Sequence, residues 1–522
     1  MDKENRADSP ILIITIGLGI FSFFILLAYH NIADGDLWAR LVQGASIWKR
    51  HSLVHRDIFA FTAVLPKYID HEWGAGLIFF SLLRFFGPAS LLLFKIITAL
   101  TALALAVLTG RMSGCKWQAL LLLAVPCAAT IFPAYSLVVR SHTMTYLFFA
   151  ATILCMEIIR RGHSWPFFAV VTIMMLWTNV HGGFVSGLGV IAIYTFISVI
   201  EKHMRRIMLV TMLAAISVTF INPYGIELWN YLVPAFTMRR KYVTEWQAMP
   251  LGIYDAFIGF RVLFIATICM LMVAWSRVNW RRSIPGLCIL AITAYLALRH
   301  RRHAPFFGLS AAAFVGPYME KTLDRLACHV PGIFLRKARP VVYIFILYGA
   351  IAVLTAWRVL PNVSLRVLAP VGAYPVREAD ILMYSKATGN LAVTFRWGNY
   401  AMWRLYPRVK ISICGRYEAM YPESTYAMND AFFFKIGSDW DRLVRQYHVD
   451  YIMLDTRRTR LQKKDLENID FKIVYSGDCS ALYARKELAP LLKSVAEQMP
   501  ERTIEPLDAG IPDSWWDKEV PD

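Results

Sequence analysis

Apolar positions run on without interruption over the first two-thirds of the chain and shorten into alternating stretches afterwards, so the period of the pattern divides the molecule. Runs with few or no charges occupy residues 11–29, 89–109, 117–135, 143–159, 166–180, 184–200, 207–221, 255–275, 283–298, 304–318 and 341–357. Each reaches or approaches the roughly 17 to 25 residues that cross a hydrocarbon core as helix. The pattern therefore predicts a polytopic α-helical membrane protein of about 11 to 12 transmembrane helices. The twelfth candidate, 73–86, ends at Gly87-Pro88, short enough to suit a re-entrant or interfacial helix as well as a crossing.

From about residue 360 the signal changes to strands at 391–395, 409–413, 450–454, 471–475 and 481–483, with helices at 378–385 and 440–447. The expected organisation is a transmembrane domain over 1–359 with a large first loop at 31–74, a C-terminal soluble α/β domain over 360–500, and a poorly ordered tail over 501–522. The first apolar run follows MDKENRADSP and precedes no small-residue cleavage site, so it reads as a retained helix and not a signal peptide.

Composition agrees with a chain solvated by lipid bilayer: 57% of the 522 residues are hydrophobic and only 18% charged. The net charge of +18 would suit a nucleic-acid binder, but the cations are scattered between apolar runs and form no basic face, so no nucleic acid is expected. They report topology instead. With the N-terminus inside, the loops holding Arg111 and Lys116, Arg160 and Arg161, Lys202 to Arg206, and Arg277 to Arg282 all lie on the inner side. The first loop, the unusual polar motifs and the C-terminal domain then share the outer side. Of eight cysteines, Cys127, Cys155, Cys269 and Cys288 sit in apolar runs and Cys115 and Cys328 near their ends, without CxxC spacing; Cys414 and Cys479 lie in the soluble part, where a disulfide could form in an oxidising compartment.

Carboxylates recur where the first loop meets the apolar runs: Asp34-Gly35-Asp36-Leu37-Trp38 and Asp70-His71-Glu72-Trp73. A carboxylate at the edge of a low-dielectric region suits a general base or a ligand for a divalent cation (Mg or Mn), and equally a helix cap. Arg299-His300-Arg301-Arg302-His303 and Arg140 with His142 fall at outer helix ends, against the charge bias. Guanidinium groups bind phosphate oxygens bidentately, so these arginines suit a lipid-linked phosphate; anchoring to phospholipid headgroups is the alternative. Asn179, His181 and Asn222 flank Gly- and Pro-marked breaks at helix ends, which either line a cavity or make ordinary turns. Trp397-Gly398-Asn399-Tyr400 and the 414–422 stretch offer aromatic faces fit for sugar rings or for packing. P-loop, GxSxG and HExxH motifs are absent from the sequence.

Together DGDLWARLVQGASIW, RDIFAFT, DHEWGAGLIFF, WTNVHGGF, INPYG, RHRRHAPFF, WGNY and GRYEAMYP resemble the GT-C superfamily of membrane glycosyltransferases, in particular the bacterial inner-membrane RgtA/B/C/D-like branch. The resemblance implies transfer of a sugar from a polyprenyl-phosphate-linked donor to a glycan or lipid acceptor at the outer face of the inner membrane, with the C-terminal domain periplasmic. It implies catalytic roles for Asp34 or Asp36 with Glu72 as partner, the two aspartates doubling as metal ligands. It also implies donor-phosphate binding by Arg299, Arg301 and Arg302; Arg140 joins them by its position, and His71, Trp73, His142, Asn179, His181 and Asn222 are candidate substrate-cavity residues by their place at the outer ends of the apolar runs. The DGD spacing departs from that of other superfamily members, which leaves the choice of catalytic Asp open. Two other readings compete: a non-catalytic polytopic component of an envelope polysaccharide assembly or export machine, and a transporter, for which the one-sided clustering and lack of a repeat are unfavourable.

Overall fold

The computed structural model describes residues 9–237, 244–250, 252, 255–327, 340–416, 419–499, 507 and 511–516. The chain divides into two compact units, one formed by residues 1–31 and 92–365, the other by 32–91 and 366–522.

Among the described residues, eight helices are long and apolar enough to cross a membrane: Pro10–Tyr29, Ala89–Met112, Trp117–Tyr135, His142–Arg160, Phe184–Glu201, Ile258–Arg277, Arg282–Arg299 and Pro340–Arg358. The chain is thus a multi-pass membrane protein. Large apolar side chains such as Phe168, Phe196, Leu213, Met272 and Val353 are exposed on this unit, as expected where the surrounding solvent is lipid. The remaining three sequence runs are helical but shorter. Pro166–Val180 has 15 residues and Arg205–Val218 has 14, the latter stopped ahead of the Asn222-Pro223 turn. The 304–318 run splits into Ala304–Phe314 and Gly316–Ala327, because Pro317 lacks an N–H and disfavours helical backbone in the residue before it.

The second unit opens with α1 (Gly35–Arg50) and α2 (Trp73–Phe86), which cross at glycines. A Cβ on Gly44 would sit 2.1 Å from the Gly76 carbonyl oxygen, and one on Gly76 would sit 2.8 Å from that of Arg40. Backbone meets backbone there, so Gly44→Val should force the helices apart and lower stability by about 1–3 kcal/mol, read as an earlier thermal transition of the purified chain. An unchanged transition would contradict the close crossing.

After α3 (Val376–Tyr384) come β1 (Gly389–Val393), α4 (Phe395–Leu405), β2 (Val409–Ile411), α5 (Glu423–Phe434), β3 (Tyr451–Asp455), β4 (Phe471–Ser476), β5 (Ser480–Arg485) and α6 (Ala489–Gln498), with short helical turns between. The sheet has the order β2-β1-β3-β5-β4; the first three strands are parallel, and β5 and β4 run antiparallel. All five expected strands are present. The core on one side of the sheet gathers Ala392, Ile452, Leu454, Phe471 and Tyr483 with Phe432, Phe433 and Leu443.

The sequence grouped the 31–74 loop with the membrane helices, whereas here it packs on the C-terminal sheet. Ile411 donates its N–H to Phe59 O at 2.9 Å and accepts from Phe61 N at 3.1 Å, so the loop lines the β2 edge. Asp57 and Arg416 form an ion pair at 2.7 Å, both fully buried, and the guanidinium lies over the rings of Phe59 and Tyr68. Burial works against the Arg416 charge, but Asp57 together with Cys414, Tyr421 and Tyr68 outweighs it and raises the guanidinium well above its ordinary range. The tail expectation falls partly outside the described residues, yet 511–516 are ordered onto this unit. Trp515 is buried, donates Nε1–H to Trp403 O at 3.0 Å and packs on the Tyr406 ring. A large aromatic surface anchors what a polar, proline-containing tail conceals. Cys414 and Cys479 are both free thiols, so no disulfide joins them.

Candidate functional site

In the second unit, the acidic motif starts α1. Asp34 is the N-cap: it is buried, has extended backbone, and its Oδ1 accepts the Asp36 N–H at 2.8 Å. Asp36 follows in the first turn and is half-buried, which leaves its carboxylate the more accessible of the two. The motif is pinned from behind. Trp38, Tyr374 and Tyr400 form a closed triad of rings 5.1 to 5.6 Å apart, Tyr374 donates its hydroxyl to Ala33 O at 2.8 Å, and Asn399 Nδ2 donates to Gly35 O at 3.0 Å. Trp397 and Tyr400 are therefore core residues, and the aromatic stretch packs instead of facing a sugar. Gly398 belongs to the same contact, since a Cβ there would lie 2.0 Å from Ile413 O.

Glu72 is committed elsewhere. Buried Arg40 donates Nη1–H to Asp70 Oδ1 at 2.6 Å and has its Nε 3.4 Å from Glu72, while Asp70 also accepts the Glu72 N–H. Burial opposes the Arg40 charge, yet Asp70 and Glu72, helped by Tyr68, hold its pKa well above the ordinary value, so the guanidinium stays charged. His71 stands 3.9 Å from Glu72, and Trp73 starts α2 with its N–H on Asp70 O. The DHEW motif is thus a charged knot tying α2 to α1. Among the described residues no three His, Cys, Asp or Glu converge as a cation cage, so a divalent ion at Asp34 and Asp36 would need ligands from substrate or water.

In the membrane unit, Arg140, Arg301 and Arg302 line one cavity of about 280 Å³ together with His142, Tyr146 and Glu245. The Arg301–His303 turn follows the helix ending at Arg299, and Arg301 N and His300 Nδ1 engage Gln247 O and Trp246 O, which ties it to the 244–249 segment. Arg302 stacks 4.5 Å over the Trp246 ring, and Arg140 pairs with Glu245. Burial alone would raise the Glu245 carboxyl, but Arg140, His142 and Arg302 bring it down to about 2. His303, desolvated and beside Arg302, falls to about 3 and is neutral at physiological pH.

Because Glu245 is depressed below its ordinary carboxylate value, the stabilisation it supplies is fully present above that value and fades as pH falls toward about 2. The difference in melting temperature between the native chain and Glu245→Gln should accordingly be constant from pH 5 to 8 and shrink in acid. A difference that titrates near neutrality would contradict an ionised pair.

Of the other expected residues, Arg299 is exposed at its helix end and does not line this cavity. Asn179 Nδ2 donates to Met175 O and Ile221 O, and Asn222 donates to Thr219 O and accepts from Tyr224 N, so both secure turns. His181 Nδ1 accepts the Gly183 N–H at 2.9 Å and lies 2.8 Å from Thr145 Oγ1, which places its remaining proton on Nε2. Neither these residues nor His71 and Trp73 belong to the lining of the arginine cavity. One residue went unforeseen. Lys95 is fully buried in the Ala89–Met112 helix and donates to His30 O, whose ring packs on Phe132 next to the cavity residue Pro133. Its signal was a single cation inside an otherwise apolar run.

No protein-family model matches the sequence, and no curated protein matches it. Among solved structures, ArnT from Cupriavidus metallidurans bound to undecaprenyl phosphate is similar, with a TM-score of 0.52 and 13% sequence identity over 90% of this chain and 97% of that one. The chain has a GT-C-like fold.

Proposed function

We propose that this chain is a membrane glycosyltransferase that moves a sugar from a polyprenyl-phosphate-linked donor to a glycan or lipid acceptor at the outer face of a bacterial inner membrane. The observation that carries this is the cavity holding Arg140, Arg301 and Arg302, within a fold similar to that of a protein bound to undecaprenyl phosphate. Three guanidiniums at one cavity suit a phosphate, which they can grip through paired N–H donors.

In the reaction so read, the acceptor hydroxyl oxygen attacks the anomeric carbon of the donor sugar, and its proton passes to Asp36. The bond from that carbon to the phosphate oxygen breaks, and the electron pair leaves with the polyprenyl phosphate. Charge grows on that phosphate as it departs, so the arginines lower the barrier by binding the transition state better than the ground state. Asp34 holds α1 and the position of Asp36. If a divalent cation takes part, Asp34 and Asp36 are the carboxylates it would meet.

Native mass spectrometry of the purified chain with undecaprenyl phosphate tests the donor half. The unmodified chain should retain the lipid, and the Arg140→Ala/Arg302→Ala double variant should lose it. Equal retention by both would remove this cavity from the donor site.

A further inference from the structure

In the second unit, the parallel strands surround β1 on both sides, with β2 on one and β3 on the other. The chain leaves β1 in one direction and returns on the opposite side, which makes the carboxyl ends of β1 and β3 a topological switch point, where open α/β sheets bind ligands. The pairing of Val393 with Met453 sets those two ends side by side. Arginines crowd this place. Arg396 lies in the first turn of α4 just after β1, and Arg457 and Arg458 come just after β3; all three are exposed.

Their partners are few. Arg457 donates to Gly372 O, Arg458 Nε stands 3.9 Å from Asp455, and Asp455 is itself buried and accepts the Arg457 backbone N–H. Among the described residues the ion pair found here is that of Asp455 with Arg458. Desolvation and the repulsion of Arg458 and Arg457 pull the Arg396 pKa below its usual value, the cost of holding like charges together. An anion arriving from solution would relieve that cost.

The same helix braces the acidic motif at the start of α1. Asn399, one turn beyond Arg396 in α4, donates to Gly35 O, and Tyr374, whose hydroxyl holds Ala33, feels the charges of Asp34, Asp36 and Arg396 alike. A ligand anchored by an oxyanion at the arginines would therefore present its remaining hydroxyls toward Asp36.

We propose that this edge of the sheet is the acceptor site, and that the acceptor is a glycan bearing an oxyanion, phosphate or carboxylate, which Arg396, Arg457 and Arg458 hold beside Asp36. The proposal deepens the transferase reading and rests on it for the word acceptor, but anion binding is measurable without any transfer. The basic run continues in sequence through Arg460, Lys463 and Lys464, further cations for a polyanionic chain.

Pyrophosphate binding to the full chain in uncharged phosphatidylcholine nanodiscs provides the test, comparing the native chain with Arg396→Gln/Arg457→Gln/Arg458→Gln and with the corresponding triple lysine variant. The native chain should bind pyrophosphate, the glutamine variant at least tenfold more weakly, and the lysine variant in between, while retention of undecaprenyl phosphate is the same in all three. Equal pyrophosphate affinity in the native and glutamine chains would overturn the proposal. So would an effect confined to nanodiscs containing anionic lipid, which would make the cluster a headgroup anchor. A chain that binds pyrophosphate as expected but transfers no sugar would refute the transferase reading and leave the anion site standing.

Discussion

Asp36→Asn should reduce sugar transfer by about 10²- to 10⁴-fold, the usual worth of a positioned general base, while the protein folds and still retains the donor lipid. Asp36 is half-buried in the first turn of α1, where its charge favours the helix N-terminus by about 0.3–1 kcal/mol, so the neutral variant should still fold. Asp34→Asn makes the informative contrast. Asn caps a helix about as well as Asp, so this variant should keep both its stability and most of its activity, whereas Asp34→Ala should lose about 1 kcal/mol. Rates of transfer and melting temperatures of the three variants separate the roles. If Asp34→Asn abolishes transfer and Asp36→Asn does not, the base is Asp34 and the cap interpretation falls.

Arg416→Ala should destabilise the second unit by about 3–5 kcal/mol, because it leaves the Asp57 carboxylate buried without its counter-charge. The loss also removes the guanidinium stacked over Phe59 and Tyr68. For a unit of this size that corresponds to a melting temperature lower by roughly 10 °C, and protease cleavage should appear first in the 52–68 stretch. Removing both charges together, as Asp57→Leu/Arg416→Met, should recover most of the stability, since apolar replacements of a buried pair are often neutral. A single variant as stable as the native chain would mean that the pair does not hold the loop to the sheet.

The membrane helices were legible because lipid imposes an unmistakable requirement: a long run without charges, which 11–29 and 341–357 satisfy in full and 89–109 satisfies but for Lys95. The five strands were legible for a similar reason, as short apolar runs bounded by turn residues. What escaped was long-range. The bridge of Ala60 to Ile411 and the ion pair of Asp57 with Arg416 join positions some 350 residues apart, and no local pattern announces them. The helix Phe395–Leu405 was missed because its aromatics read as a surface, although they fill the interior beside Trp38.

At the candidate site, Arg140, Arg301 and Arg302 stood out by defying the charge bias of outer loops, and the structure brings them to one cavity. Arg299 carried the same signal but ends a helix in the open, since a run of adjacent arginines cannot all face one way. Glu245, the partner that gives Arg140 its orientation, had no motif around it to distinguish it from any loop carboxylate. Asn179 and Asn222 looked like cavity residues because helix breaks attract them, and the breaks explain them fully as turn caps.

The most direct measurement is the release of free polyprenyl phosphate from a polyprenyl-phosphate-linked sugar by the purified chain, supplied with an envelope glycan fraction and followed by chromatography of the extracted lipid. The native chain should release the carrier and label the glycan in equal amounts, with both products lost in Asp36→Asn and in Arg140→Ala/Arg302→Ala. Donor lipid left intact by the native chain, or consumed equally by all three, would contradict the transferase account.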